Sequence, residues 1–258
     1  MRNIFFLFFA CVPLAMCSQQ SESLKGKFAD YFLIGATINQ EDYQIIDNDE
    51  KILKIVSEDF NSVTPENSMK WMHSHPEYSK FTFSNAQKIT DFAKDNDMYL
   101  LGHTLVWHNQ VPDYVSEIKE KTKFNLHIKN HIFQLVTRFK GKVDMWDVVN
   151  EALNDDGSLR ETVFLEMMGD DYIERVFQYA NDTDPNVELA YNDYNLYKPK
   201  KREGAIRIIN SLKEKGIRID AVGIQAHCDL HFPSIKEIEE TIVDLAATGV
   251  DVMIPSLT

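Results

Sequence analysis

Hydrophobic and polar positions recur along this chain with two periods. Short apolar and β-branched runs predict seven strands, at residues 32–36, 62–64, 99–106, 145–149, 187–191, 221–225 and 250–254. Between them lie longer stretches with the 3.6-residue period of amphipathic helices. In 84–96, Phe92 and Ala93 follow Ile89 by three and four residues, and in 125–139, Ile128, Ile132, Leu135 and Val136 share one face. The segment 201–215 carries Ala205, Ile208, Ile209 and Leu212 and is stopped by Gly216; 234–248 carries Ile235, Ile238, Ile242 and Leu245 and is closed by Gly249.

Repeated strand–helix units predict a parallel sheet covered by helices. An α/β fold of the (β/α)8 TIM-barrel kind fits better than a doubly wound sheet. No glycine-rich phosphate loop follows the first strand, and polar residues gather at the ends of many strands rather than at one switch point. Only seven strands are found, so the barrel is expected to be incomplete, with its eighth strand and helix missing. No linker, repeat or low-complexity tract appears after about residue 25, and residues 25–258 are read as one domain.

The 258 residues, 44% hydrophobic and 26% charged, have the composition of an ordinary soluble globular protein. A formal net charge of -13 disfavours nucleic acid and anionic membrane surfaces and suits a neutral partner such as a sugar polymer. Residues 1–17 read as a secretory signal: a basic Met1-Arg2-Asn3, an apolar run over 4–12 too short to span a bilayer, then Leu14-Ala15-Met16-Cys17. Cys17 stands where a bacterial lipoprotein would carry its lipid; a plain cleaved signal with an incidental Cys17 is the alternative. The expected location is secreted, periplasmic or cell-surface, with membrane contact only through a lipid on Cys17, and the expected state is a monomer. With Cys11 inside the signal, only Cys17 and Cys228 remain, and no disulfide framework is implied. Cys228, beside His227, is read as a small buried residue after a strand rather than a nucleophile.

The chemistry concentrates where strands end. The fourth apolar run, Trp146-Asp147-Val148-Val149, stops at Asn150-Glu151, which places an amide and a carboxylate at the rim of a core. Other strand ends carry Glu66, Asn67 and Lys70; His103, Trp107 and Gln110; Asn192, Asp193 and Asn195; and Gln225 and His227. Carboxylates, amides and imidazoles alternating with Trp suit a sugar, because hydroxyls need directed donors and acceptors while a pyranose face packs on an aromatic ring. Taken singly, Glu66 could form a structural ion pair with Lys70, His103 could be a bonded core histidine, and Trp107 core filler. Five clusters at the strand ends of one barrel favour the functional reading. His127 and His131 share a helical face that is expected to be solvated rather than metal-binding. His73-Ser74-His75 alternates like a strand metal pair but falls in an expected loop. No metal and no cofactor is expected.

Five stretches, Thr64–Trp71 (TPENSMKW), Gly102–Pro112 (GHTLVWHNQVP), Trp146–Leu153 (WDVVNEAL), Tyr191–Asn195 (YNDYN) and Gly223–His227 (GIQAH), resemble in order and spacing the glycoside hydrolase family 10 xylanases. The resemblance runs from about residue 28 to about residue 254. It implies a (β/α)8 barrel and retaining hydrolysis of internal β-1,4-xylosidic bonds, with xylan or a xylo-oligosaccharide as partner. It further implies that Glu151 is the general acid/base and that Asn150 bonds the sugar 2-hydroxyl. Glu66, Asn67 and Lys70 would hold the non-reducing-side xylose, and His103, Trp107 and Gln110 would surround the scissile sugar. Gln225 and His227 would position the nucleophile. The family's nucleophile is a Glu at the end of the seventh strand, and here the matching position is Ser256. A hydroxyl is barely ionised at neutral pH and removes the negative charge facing an oxocarbenium-like transition state, a loss of roughly three or more orders of magnitude in rate. The expectation is therefore a xylanase-family chain with one catalytic carboxylate. The alternatives are a catalytically dead xylan-binding barrel and a non-functional truncated product.

Overall fold

The computed structural model describes residues 23–39 and 50–255. The leader read at residues 1–17, with Cys11 and Cys17, lies outside the described residues, as does Ser256. Seven strands, β1 (Gly35–Ile38), β2 (Ser62–Pro65), β3 (Tyr99–Trp107), β4 (Met145–Asn150), β5 (Glu188–Tyr194), β6 (Ala221–Gln225) and β7 (Asp251–Met253), pair in parallel in the order of the sequence. Parallel neighbours require crossover connections, and helices supply them. The described helices are α1 (Leu24–Phe28), α2 (Glu50–Asp59), α3 (Trp71–Ser74), α4 (Ser84–Asp95), α5 (Asp113–Glu117), α6 (Lys121–Arg138), α7 (Val163–Met168), α8 (Tyr172–Thr183), α9 (Pro199–Glu214) and α10 (Ile235–Ala246). Among the described residues the sheet is open between β1 and β7.

All seven expected strands and all four expected helices form. The first strand starts three residues later than its apolar run: Tyr31, Phe32 and Leu33 are exposed, and pairing begins only where Gly35 faces Ser62. Helix α8 is not anticipated by the reading above, although Tyr172, Ile173, Val176, Phe177 and Ala180 repeat with helical period and are buried. At α10, Ser234 is the cap rather than the first helical residue; its hydroxyl accepts from Glu237 N, and the Glu237 carboxylate accepts from Ser234 N.

The period of two along each strand separates two cores. Leu100, Leu105, Val148, Leu189, Val222 and Ile224 face outward and pack with the helices, for example Ile128, Val176, Ile209 and Leu245. Each such fully buried side chain contributes about 1.5–3 kcal/mol. On the opposite parity Leu101, Met145, Ala190 and Ala221 form a separate small cluster with Tyr99 and Met253. Two residues further along the same four strands stand His103, Asp147, Asn192 and Gly223. The inner face thus changes from apolar to polar in one step. Gly102 is required here, since a Cβ would lie 2.4 Å from the Trp146 ring.

The histidines of α6 do not form a solvated face. His127 is 6% exposed and His131 fully buried, because the α3 turn packs over them. Nor is His73-Ser74-His75 a loop: it forms the end of α3 and its cap, and His75 is fully buried. The Trp71 ring stacks on His131 at 3.7 Å, and His75 on Phe81 at 3.9 Å. Among the described residues no group of three or more His, Cys, Asp or Glu side chains is arranged to hold a metal. Cys228 also departs from the expectation of burial, being exposed where the chain leaves β6 for a solvent-facing loop.

Burial disfavours the imidazolium form, lowering His75 to about 4 and pushing His131 well below, and His127 below, the usual 6.5. An unfolded chain takes up these protons at about pH 6.5, while the folded one refuses them. Their contribution to stability is therefore complete above pH 6.5 and is lost as pH falls toward 4, His75 alone accounting for roughly 3 kcal/mol. Thermal melting from pH 7 to pH 4.5 should show a steady fall in Tm that begins near pH 6.5. A Tm that stays level from pH 7 to pH 5 contradicts the burial of neutral histidines.

Candidate active site

Strand register brings the expected residues to one mouth. Trp107 at the end of β3 faces Asn150 at the end of β4, which faces Asn192 of β5; Tyr194 of β5 faces Gln225 at the end of β6. Glu151 is the first residue past β4 and adopts a left-handed conformation, φ 59°. That region is unfavourable for a residue with a side chain and persists only where the surroundings hold it. Two contacts do so: Glu151 N donates to Asn192 O at 2.8 Å, and Arg160 Nε donates to Glu151 O at 3.1 Å. The carboxylate then meets the Trp107 indole, whose Nε1–H donates to Oε2 at 2.9 Å.

A second chain of bonds crosses the mouth. Gln225 Nε2 donates to Asn150 Oδ1 at 2.8 Å, and His227 Nε2 donates to Gln225 Oε1 at 2.9 Å. With its oxygen occupied, Asn150 has its NH2 left as the donor for a further contact. His227 is exposed, and Gln225 beneath it is buried. On the other wall Lys70 Nζ donates to Asn67 Oδ1 at 2.9 Å and lies 5.1 Å from the Trp107 ring centre. The α3 segment after Lys70 is tied to the next loop, since Met72 N donates to Gln110 O at 2.9 Å. Glu66 is half-buried at the end of β2, its N–H bonded to Ile38 O. Trp107 is half-buried at the mouth and is not core filler.

His103 is neither a simple core histidine nor a free one. Its Nδ1 donates to Asp147 Oδ2 at 2.8 Å, which leaves Nε2 as an acceptor on the side chain's 18% exposed surface. Asn192 Nδ2 donates to the same Asp147 oxygen at 3.1 Å. Gly223 makes room for this, since a Cβ there would lie 2.5 Å from Asn192 Oδ1.

Several functional residues escaped the sequence reading. Asp147 is one of them, and a lone acid in an otherwise apolar strand is itself a signal. Arg160 donates to the main-chain oxygens of Glu151 and Leu153, each at 3.1 Å, and to the Tyr194 hydroxyl at 2.7 Å. Asp193, fully buried, forms an ion pair with Lys201 Nζ at 2.9 Å and accepts from Tyr191 Oη at 2.5 Å, Leu153 N at 3.2 Å and Tyr194 N at 2.9 Å. Burial pushes the Asp193 carboxyl up, and the Lys201 ammonium and these donors pull against it. Lys201, also without exposure, stands 3.5 Å from the centre of the Tyr194 ring. In the sequence Lys201 sits four residues before Ala205, on the apolar stripe of its helix, and that position marked it as buried. Burial and the nearby Arg160 lower the His108 imidazole, against the pull of Glu151. What the arrangement offers is one carboxylate on a rigid strand end, an indole wall, and amide and imidazole groups aimed at one cleft.

A family model described as Glycosyl hydrolase family 10 matches residues 23–257. Endo-1,4-beta-xylanase A of Xylanibacter ruminicola is 38% identical over 251 residues, covering 95% of this chain and 68% of the relative. Beta-1,4-xylanase of Dictyoglomus thermophilum is 42% identical over 234 residues, covering 90% and 64%. Among solved structures, a GH10 endoxylanase retrieved from sugarcane soil metagenome matches with TM-score 0.85 at 37% identity, covering 90% of this chain and 68% of that one. Xylanase 10B from Thermotoga petrophila RKU-1, solved in complex with xylobiose, matches with TM-score 0.84 at 35% identity, covering 89% and 71%. The chain spans about two thirds of the length of these relatives.

Removing the Lys201 charge should be costly. Lys201→Met leaves Asp193 buried without its counter-charge, and urea unfolding should show a loss of about 3–5 kcal/mol. Adding Asp193→Asn should recover part of it, because the uncompensated charge is then gone. Full additivity of the two losses contradicts the pairing.

Proposed function

The chain belongs to glycosyl hydrolase family 10, a family of hydrolases, and from that premise we propose that its barrel mouth is a site for the internal β-1,4-xylosidic bonds of xylan. The observation that carries the reading is Glu151, held at the end of β4 with its carboxylate against the Trp107 indole. In this reading Glu151 gives its proton to the glycosidic oxygen as the bond breaks, and afterwards takes a proton from the attacking water. Asn150, its oxygen fixed by Gln225, donates from its NH2 to the 2-hydroxyl of the reacting sugar. Lys70, Asn67 and Glu66 hold the sugar on the non-reducing side. Trp107 walls the reacting sugar together with Gln110, and His103 accepts a hydroxyl proton at Nε2. The leader read at residues 1–17 would deliver the site to polymer outside the cytoplasm.

A retaining reaction needs a second carboxylate about 5–5.5 Å from the first. With Ser at position 256, no ester to the sugar forms readily, and the chain binds xylo-oligosaccharides while cleaving them slowly. Ser256 is the specific reason to keep a sugar-binding barrel as the second reading.

Calorimetry with xylotetraose and reducing-sugar release from xylan test both parts. The 258-residue chain should bind xylotetraose, and Trp107→Ala should weaken binding about tenfold, or about 1.4 kcal/mol. Release should run at least about a thousandfold below ordinary enzyme turnover of about 1–1000 per second. No binding at millimolar xylotetraose sinks the substrate class. Turnover in the ordinary range sinks the role given to Ser256.

A further inference from the structure

The buried histidines behind the cleft do not have enough protons for their contacts. His131 Nε2 lies 3.2 Å from Leu105 O, and His75 Nε2 lies 3.2 Å from Tyr78 O. A carbonyl oxygen only accepts, so each Nε2 must carry its hydrogen. A neutral imidazole has one hydrogen, which leaves both Nδ1 atoms bare. Yet His75 Nδ1 and His131 Nδ1 face each other at 3.2 Å. Three contacts need three protons, and two neutral rings hold two. Both rings are fully buried, so water does not compete for these positions from the surface.

We propose that His75 and His131 form a one-proton site that positions Trp71 behind the cleft: with both rings neutral the Nδ1–Nδ1 contact is unmade and the α3 turn is loose, and capture of a single proton between the two nitrogens closes it. A second proton would set N–H against N–H, so the pair takes up one only. The geometry transmits the event directly. His75 caps α3, with its N–H bonded to Trp71 O at 2.8 Å; the Trp71 ring lies flat on His131; and Trp71 follows Lys70 in the chain.

The groups facing the pair hold the proton off until acid pH. From α6 comes His127, with its ring 5.0 Å from His75. From α5 comes Tyr114, whose hydroxyl donates to His75 O at 3.0 Å and accepts from Trp71 Nε1 at 2.9 Å. From the loop after α3 come the Tyr78 carbonyl and its ring, stacked on His127 at 4.7 Å. Strand β3 presents the Leu105 carbonyl, the segment before α4 lays the Phe81 ring on His75 at 3.9 Å, and the Phe164 ring of α7 faces Trp71. Tyr114, raised to about 12 by burial, stays neutral, and none of these groups offers a negative charge to balance an imidazolium. The cost of burying that charge delays a proton that the hydrogen-bond count calls for.

Nitrogen-15 NMR of the histidine rings in the intact chain decides the count. At pH 7 both rings should be Nε2–H with bare Nδ1. On acidification both Nδ1 signals should move together, with one midpoint and an uptake of one proton. An Nδ1–H tautomer at pH 7, or two separate midpoints, overturns the proposal. Protection of the Trp71 indole N–H, corrected for intrinsic exchange at each pH, should rise about tenfold through that midpoint. In His75→Asn the side-chain amide donates to His131 Nδ1 at every pH, so protection should already be high at pH 7 and flat below it; His131→Asn is the mirror test should the first variant fold poorly. A protection profile in either folded variant that follows the parent's overturns the positioning role. The link from Trp71 to Lys70 and sugar rests on the function proposed above. If that link holds, xylotetraose affinity of the parent relative to His75→Asn rises across the same midpoint. Absence of xylotetraose binding by parent and variant at every pH overturns the sugar reading alone, because the ring signals are measured without ligand.

Discussion

A carboxylate does not stay in the dry interior of a barrel unless donors reach it. Asp147, with no exposed surface, meets this condition at one oxygen: His103 on one neighbouring strand and Asn192 on the other both donate to Oδ2, while the buried Oδ1 has no partner among the described residues. Much of the mouth follows from that one demand. The bond makes Nδ1 the donor and fixes the plane of the His103 ring. It requires β3, β4 and β5 to hold their register to within a fraction of a residue, because a slip of one would turn Asp147 into the helix layer. It also explains why β6 has glycine at 223, where a side chain would collide with the Asn192 amide.

Above that layer the strain at Glu151 is met by a different device. A left-handed residue at a strand end relaxes unless its two peptide groups are both held. Asn192 takes one and Arg160 the other. Arg160 is in turn bonded to Tyr194, and Tyr194 rests against Lys201, which is paired with Asp193. Two buried ions stand behind one half-buried acid. Their role is geometric: they fix the peptide planes from which the acid projects, while the indole of Trp107 fixes the acid itself.

The strands, four of the helices and the residues of the mouth were legible in the sequence because each depends on local order: a period, a stop, a polar pair after an apolar run. The misreadings share a different origin. A helix whose second face is covered by another segment looks amphipathic all the same, so His127 and His131 read as solvated until α3 is laid over them. Phe32 and Leu33 read as strand because they are apolar, but β2 offers no partner before Ser62. Asp147 acts through His103 and Asn192, 44 and 45 positions away, while Arg160 and Lys201 reach partners on other elements, and local pattern marks such residues without naming what they bond. Ser256 was legible only by comparison with a family pattern, since nothing in its own neighbourhood marks the position as chemical.

The chain has three tryptophans, and two of them, Trp71 and Trp146, are 3% and 1% exposed. The third, Trp107, is the one bonded to the Glu151 carboxylate. An indole whose N–H is hydrogen-bonded to an acid changes its emission when that bond is broken, lengthened or shielded from water. The site therefore carries its own optical probe, set at the Glu151 carboxyl and apart from the two buried rings. Occupancy of the cleft can be followed by light alone, with no label and no catalytic turnover.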